Sequence, residues 1–136
     1  MIKSIAFICI GNSARSQIAE AIAKKMANEK NMDIKIYSAG TNPTGFINAM
    51  AVRILEEDGI NIEGQYSKSL NEIPVEEIDL FIMVCEESKC VHLPGKKSLH
   101  WFLPDPFSYE QFYFIREKLK TLINELLDGI KKGEMV

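Results

Sequence analysis

Residues 2–30, IKSIAFICIGNSARSQIAEAIAKKMANEK, decide the fold. Residues 2–9 are nearly all apolar, with β-branched and aromatic side chains. The run is too short for a good helix and reads as a strand buried on both faces. Ile10, Gly11, Asn12, Ser13 and Ala14 then form a turn. Residues 16–30 have helical spacing. Ile18, Ile22 and Met26 recur at every fourth position, alanines fill the same side, and Lys24, Lys25, Asn28 and Glu29 lie elsewhere.

The rest of the chain repeats this alternation. Residues 33–38 (DIKIYS) read as a half-buried strand that ends in the turn from Ala39 through Gly40 to Pro43. Residues 46–58 predict a helix with Ile47, Met50, Ile54 and Leu55 inward and Gly59 as its stop. Residues 60–70 read as an irregular connection. Residues 79–85 (DLFIMVC) are another apolar strand, 86–94 a loop or short helix, and 97–102 a short strand before Leu103, Pro104, Asp105 and Pro106. Residues 109–131 give the strongest helical pattern, through Phe112, Ile115, Leu119, Leu122, Leu126 and Ile130. The order predicts one α/β domain over residues 1–136, a three-layer sandwich with a four-stranded parallel sheet flanked by helices. The charged, glycine-punctuated tail from residue 129 onward is expected to fray.

Composition narrows the function. A chain of 136 residues suits one domain with an ordinary core. The net charge of −3 argues against a broad electrostatic grip on nucleic acid and leaves a local anion site open. The longest apolar runs, 5–10 and 80–85, fall far short of the roughly 20 residues a membrane span needs. The first apolar run ends in a polar turn and does not read as a signal peptide. Cys9, Cys85 and Cys90 are an odd number, in a chain large enough to fold without staples. A cytoplasmic thiol protein is therefore expected in preference to a secreted disulfide framework.

Two of these cysteines, Cys9 and Cys85, fall at carboxyl ends of predicted strands, where parallel sheets bind ligands. Around Cys9 each residue type has a physical reason. Backbone N–H groups of Ile10, Gly11, Asn12, Ser13 and Ala14, with the next helix's N-terminus, can converge on a tetrahedral oxyanion. Gly11 and Asn12 tolerate positive φ. Arg15 offers a planar fork to two oxyanion oxygens. The same positive field favours thiolate at Cys9, and the Ser16 hydroxyl can donate to it. A nucleophile on the floor of an anion nest suits in-line attack on phosphorus or arsenic. Alone, a cysteine ending a buried strand is an inert small hydrophobe. The spacing to Arg15 and Ser16 inside a strand-loop-helix favours the nucleophile.

The stretch CIGNSARSQIAEA, from Cys9 to Ala21, resembles the low-molecular-weight protein tyrosine phosphatase superfamily, and within it most resembles the thioredoxin-coupled arsenate reductases. Ser38, Ala39, Gly40 and Thr41, and His100-Trp101 followed by Asp105-Pro106, are similar to the family as well. The resemblance implies the phosphotyrosine phosphatase I fold and makes Asp105, stiffened between two prolines, the general acid. It implies a relay in which Cys9 attacks arsenate, Cys85 attacks the Cys9 adduct and arsenite leaves. Cys90 then attacks Cys85, and thioredoxin reduces the Cys85–Cys90 disulfide. Residues five apart on a helix stand about 140° apart, so Cys85 and Cys90 pair only if the segment between them loops or unwinds. Four residues separate the two cysteines here, fewer than in the reductases it resembles, and Val91 follows Cys90. Ala14 stands where many superfamily members carry a cysteine. Glu20, with Asn12 and Ser38, resembles the position where some reductases hold potassium; no tightly bound cofactor is expected. The resemblance implies an arsenate or phosphate-type oxyanion substrate; a monomer is expected, and from the charge and the short apolar runs no nucleic-acid or membrane partner.

Rival readings remain at this stage. A phosphatase of the same fold, acting on phosphotyrosine or small phosphate esters, needs only Cys9, Arg15 and Asp105. Cys85 and Cys90 can be structural thiols. With His92 they can hold a soft metal, although three ligands at this spacing lack a second pair. A phosphocarrier or a metal-binding regulator is the non-enzymatic alternative. His100 reads as a packing or hydrogen-bonding residue, and Trp101 as core or pocket wall.

Overall fold

The computed structural model describes residues 1–86, 93 and 95–133. Four parallel strands, β1 (Ser4–Cys9), β2 (Lys35–Gly40), β3 (Leu80–Met83) and β4 (Ser98–His100), form one sheet in the order β2-β1-β3-β4. The helices are α1 (Arg15–Glu29), α2 (Ala49–Glu56) and α3 (Tyr109–Lys131). The expected α/β architecture is therefore present.

β1 lies at the centre and every one of its residues is buried, because both of its faces are covered and both of its edges are paired. That burial requires apolar side chains on both faces, and Ile5, Phe7 and Ile8 supply them beside Ala6. α1 packs on β1 and β2, α3 packs on α1, and α2 touches both helices. Phe7, Ile8, Phe81, Ile82, Ile18, Ile22, Ile54 and Leu119 are among the fully buried side chains. Arg116 is also buried; its guanidinium donates to Ile54 O at 2.9 Å and ties the end of α2 to α3.

Several boundaries move. β3 and β4 are shorter than expected, although Trp101 N still donates to Met83 O at 2.8 Å beyond the end of β4. β2 runs on through Ala39 and Gly40, which pairs with Cys9. The second helix starts at Ala49 rather than 46, where Asn48 accepts from Met50 N at 2.8 Å as its cap, and Phe46 stays exposed. In α3 the buried residue is Ile123, and Leu122 is only half-buried, because the helix turns its 119-123-126-130 row toward the core. Ser108 and Gln111 close a capping box at its start, which fixes that boundary.

The sheet order also locates a crevice. The chain leaves β1 toward β2 on one side and leaves β3 toward β4 on the other. The carboxyl ends of β1 and β3 are therefore the topological switch point, where a parallel sheet opens a ligand crevice. Ile8 pairs with Met83, so Cys9 and the residues after Met83 emerge there side by side.

Candidate active site

A cavity of about 240 Å³ opens at the switch point, lined by Cys9, Ile10, Gly11, Asn12, Ser13, Ala14 and Arg15 from the loop after β1. Cys85 and Glu86 line it from the end of β3, Asp105 from the loop after β4, and Thr44 from the loop after β2. The structure thus brings Cys9, Arg15, Cys85 and Asp105 together. Cys90, and His92 of the alternative metal reading, lie outside the described residues, and no cluster of metal ligands occurs among the described ones.

The loop's carbonyl oxygens are all turned away from the cavity and occupied. Cys9 O accepts from Thr41 N at 3.3 Å, Ile10 O from Asn42 N at 2.9 Å, and Gly11 O from Thr44 N at 3.1 Å and Ser67 Oγ at 3.2 Å. Asn12 O accepts from Gln17 Nε2 at 3.1 Å, Ser13 O from Asn48 N at 2.8 Å, and Ala14 O from Ile18 N at 2.8 Å. Since a peptide's N–H points opposite to its C=O, this outward row of carbonyls leaves the N–H groups facing inward. α1 also begins without a side-chain cap at Ala14, so no protein side chain competes for its first N–H groups.

Asn12 adopts the left-handed conformation, with φ +48°. Gly11 does not, contrary to the sequence expectation. A Cβ there would stand 3.1 Å from Thr44 Cγ2, a tight contact that the exposed threonine side chain must relieve by a few tenths of an ångström. The tighter demand falls on Gly40, where an added Cβ would press into Ile10 O and stand 3.0 Å from Asn12 N.

Hydrogen-bond directions around the sulfur are fixed by groups that can act in only one sense. Lys68 N, which can only donate, reaches Asn12 Oδ1 at 2.9 Å, and Gln17 Nε2 reaches the same oxygen at 2.8 Å. Asn12 Nδ2 therefore faces the other way and donates to Ser38 Oγ at 3.0 Å and Ser16 Oγ at 2.8 Å. The Ser38 hydroxyl donates to Glu20 Oε1 at 2.5 Å. With its oxygen already accepting from Asn12, the Ser16 hydroxyl is free to donate to Cys9 Sγ at 2.8 Å, and Asn12 N reaches the same sulfur at 3.2 Å. Two donors on one buried sulfur are the arrangement a thiolate calls for.

Glu20 is almost fully buried, and both its oxygens meet ammonium groups. Lys24 Nζ lies 2.5 Å from Oε2 and Lys68 Nζ 3.6 Å from Oε1. The residues present do not fit a potassium ion. Asn12 presents an N–H to this region, the Ser38 proton is committed to Glu20, and two lysines already balance the carboxylate.

Arg15, also buried, donates from Nη1 to Leu103 O at 2.7 Å, and its Nη2 lies 3.7 Å from Asp105 Oδ1. It joins the anion loop to the loop that carries the carboxyl. Asp105 N in turn donates to Glu86 Oε1 at 3.2 Å. Cys9 is a free thiol, whereas Cys85 is disulfide-bonded. His100 is exposed and packs on Phe102, with ring centroids 4.1 Å apart, while Trp101 packs on Phe7.

Sequence reasoning missed Thr44 and Glu86, and it gave no role to Gln17 or to Lys68, although Ser67 and Lys68 precede the third strand close enough to approach the site. Gln17 adjoins Arg15-Ser16 and was detectable as part of that motif. The other three come from irregular segments, which have no period to read.

The fold and site define a strand-loop-helix whose N–H groups and arginine converge on one cavity, with a free cysteine on its floor. The chain belongs to the low molecular weight phosphotyrosine protein phosphatase family, whose model it matches over residues 4–135. Its curated relatives include arsenate reductase 2 of Staphylococcus epidermidis, 33% identical over 126 residues that make up 89% of this chain and 93% of the relative. A solved arsenate reductase in its phosphate-binding state superposes with a TM-score of 0.83 at 31% identity, covering 95% of this chain and 99% of that one. The thioredoxin-dependent arsenate reductase of Corynebacterium glutamicum superposes at 0.78 with 29% identity, over 97% of this chain and 63% of that one. No helix among the described residues is long and apolar enough to cross a membrane.

Proposed function

We propose that this protein is an arsenate reductase that takes its electrons from thioredoxin in the cytoplasm, acting as a monomer. The observation that carries the reading is that a second cysteine, Cys85, lines the same oxyanion cavity as Cys9. Ester hydrolysis has no use for that second sulfur, and reduction requires it.

The steps balance. The Cys9 thiolate attacks arsenic, held by the inward N–H groups and Arg15, and Asp105 gives a proton to the departing oxygen, which leaves as water. The Cys85 thiolate then attacks Cys9 Sγ. The sulfur–arsenic electron pair stays on arsenic, which leaves as arsenite, and two thiols become one disulfide. Cys90 attacks Cys85, frees Cys9, and passes a Cys85–Cys90 disulfide to the thioredoxin dithiol. The relatives described as arsenate reductases, one of them thioredoxin-dependent, support this assignment. Lys68 supplies the positive charge beside Glu20, so the enzyme works without potassium.

The test is arsenate-dependent NADPH oxidation with thioredoxin and thioredoxin reductase. Wild type turns over many times. Cys85→Ser and Cys90→Ser each stop after at most one turnover, and Arg15→Lys loses roughly a hundredfold or more in kcat/KM, because a point charge cannot replace the fork. Wild-type steady-state rates in both cysteine variants refute the relay. They would leave the phosphatase reading, for which Cys9, Arg15 and Asp105 suffice.

A further inference from the structure

We propose that Glu86 is a specificity-determining residue of the oxyanion cavity, a hydrogen-bond acceptor that admits oxyanions carrying a hydroxyl, such as arsenate and phosphate, and turns sulfate away. This rests on the oxyanion reading of the site given above and names the class of anion within it.

Hydrogen arsenate, hydrogen phosphate and sulfate are all tetrahedral dianions. The inward N–H groups and the Arg15 fork only donate, so they hold the three alike. The anions differ in one proton. The first two carry an O–H, and sulfate at neutral pH carries none. Telling them apart takes an acceptor on the cavity wall.

Glu86 has the place and the chemistry for this. It lines the cavity together with Cys9, Arg15, Cys85 and Asp105. Its Oε1 accepts from Asp105 N at 3.2 Å, which ties the side chain to the loop after β4. Among the described residues, no hydrogen bond engages its Oε2 and no cation pairs with the carboxylate. Asp105 differs on this point, because Arg15 Nη2 lies 3.7 Å from its Oδ1. Asp105 also acts as the proton donor, and an O–H from it serves sulfate as well as arsenate.

Arg15 is the one cationic side chain among the described residues that line the cavity, and Leu103 O and Asp105 already share its guanidinium. A further carboxylate on that wall opposes every anion unless the anion gives something in return. A hydroxyl does so, since its proton donates to Glu86 in a charge-assisted hydrogen bond. A sulfate oxygen would instead meet the carboxylate with lone pairs on both sides. A fully enclosed site that bonds a substrate hydroxyl rejects the analogue lacking it by about 10⁴–10⁵. Glu86 is half-buried in a cavity that opens to water, so the discrimination here should be about tenfold to a hundredfold.

The experiment is equilibrium binding of sodium phosphate and of sodium sulfate to the full chain, by calorimetry at neutral pH and constant ionic strength. The protein is taken with Cys85 disulfide-bonded and Cys9 free, so that no reduction intervenes. Wild type should bind phosphate tighter than sulfate by about tenfold or more. Glu86→Ala and Glu86→Gln should each bring the two anions within about threefold by tightening sulfate, with phosphate changed by less than about threefold. Glutamine keeps an oxygen for Asp105 N and offers an N–H to the anion, so it separates the choice of anion from the holding of the Asp105 loop. The inference is overturned if wild type binds sulfate within about threefold of phosphate, or if Glu86→Gln leaves the ratio unchanged. It is overturned equally if Asp105→Asn, and neither Glu86 variant, abolishes the discrimination. Failure of the reductase reading shows elsewhere: the reduced enzyme with thioredoxin, thioredoxin reductase and NADPH makes no arsenite, and the anion ratios stand as they are.

Discussion

Replacing Lys68 by methionine tests the link between a buried charge pair and the reacting sulfur. Lys68 Nζ lies 3.6 Å from Glu20 Oε1, and both side chains are over nine-tenths buried. Removing one partner of such a pair leaves a charge desolvated and costs about 3–5 kcal/mol. Lys24 still holds Glu20 Oε2, but its side chain is half-exposed and screened by solvent, so the cost should fall to about 2–3 kcal/mol. For a chain of 136 residues this lowers Tm by about 7–10 °C. Activity should fall as well, by up to about tenfold in kcat, because Glu20 fixes the Ser38 proton and, through Asn12, the direction of the Ser16 hydroxyl. The assay is a thermal melt and a turnover measurement, each in KCl and in choline chloride of equal ionic strength. Wild type should give the same Tm and kcat in both salts, since an ammonium already stands at Glu20. Lys68→Met should melt lower in both salts, since Asn12 Nδ2, the Ser38 hydroxyl and Lys24 still occupy the surroundings of Glu20. The reasoning is refuted if wild type needs potassium for full activity, or if Lys68→Met melts within about 2 °C of wild type.

Gly40→Ala would force a methyl group against Ile10 O and Asn12 N, both backbone atoms of the anion loop that cannot swing aside. It should cost about 1–3 kcal/mol in urea unfolding and lower kcat/KM for any oxyanion substrate by roughly a hundredfold, since a displacement approaching 1 Å misaligns the N–H groups. Acid should weaken the fold through two surface carboxyls. The Tyr109 hydroxyl holds Glu57 below its usual range, and Lys30 does the same for Asp128. Carboxyls lowered in the folded state add stability that is full above the ordinary carboxylate range and is lost as pH falls through it. The Glu57→Gln, Asp128→Asn double variant should therefore show a shallower loss of urea midpoint between neutral pH and the acid limb than wild type.

The parts of the site that were legible in the sequence are those carried by regular elements. Ile5, Phe7 and Ile8 announce a two-faced strand, and Arg15 and Ser16 stand at fixed offsets from Cys9 because a loop between a buried strand and a helix has little freedom. The role of Lys68 was illegible for the opposite reason. It sits in an irregular connection, and it reaches Glu20 only because Ser69 bridges Gly40 and returns the chain to the end of β2. Glu20 illustrates a second limit. In sequence it is an ordinary acidic residue of a helix's early turns, whereas in the fold every residue of α1 from Arg15 to Ala23 is buried. A helix that packs against its own anion loop needs polar side chains inside, so its amphipathic pattern weakens where its function begins. In α3, which serves only the core, the pattern predicted both boundaries.

The second cysteine shows how much chemistry a strand register can decide. Ile8 pairs with Met83, and Val84 N donates to Ile8 O at 2.9 Å, so the chain carries Cys85 past the end of β3 into the cavity that Cys9 occupies at the end of β1. Neighbouring parallel strands lie about 4.8 Å apart, which places the two ends within reach of a modest movement. A shift of one residue in that pairing would turn the side chains leading to Cys85 to opposite faces of the sheet. The anion loop would lose little by such a shift, because its carbonyls are held from the other side, by residues 41–48, Ser67 and Gln17. The loop's N–H groups thus belong to the β1–β2 half of the site and the second cysteine to the end of β3, while Arg15 ties the loop to Leu103 and Asp105 after β4. An intact loop after β1, with Cys9 free and hydrogen-bonded, therefore coexists with a disulfide-bonded Cys85.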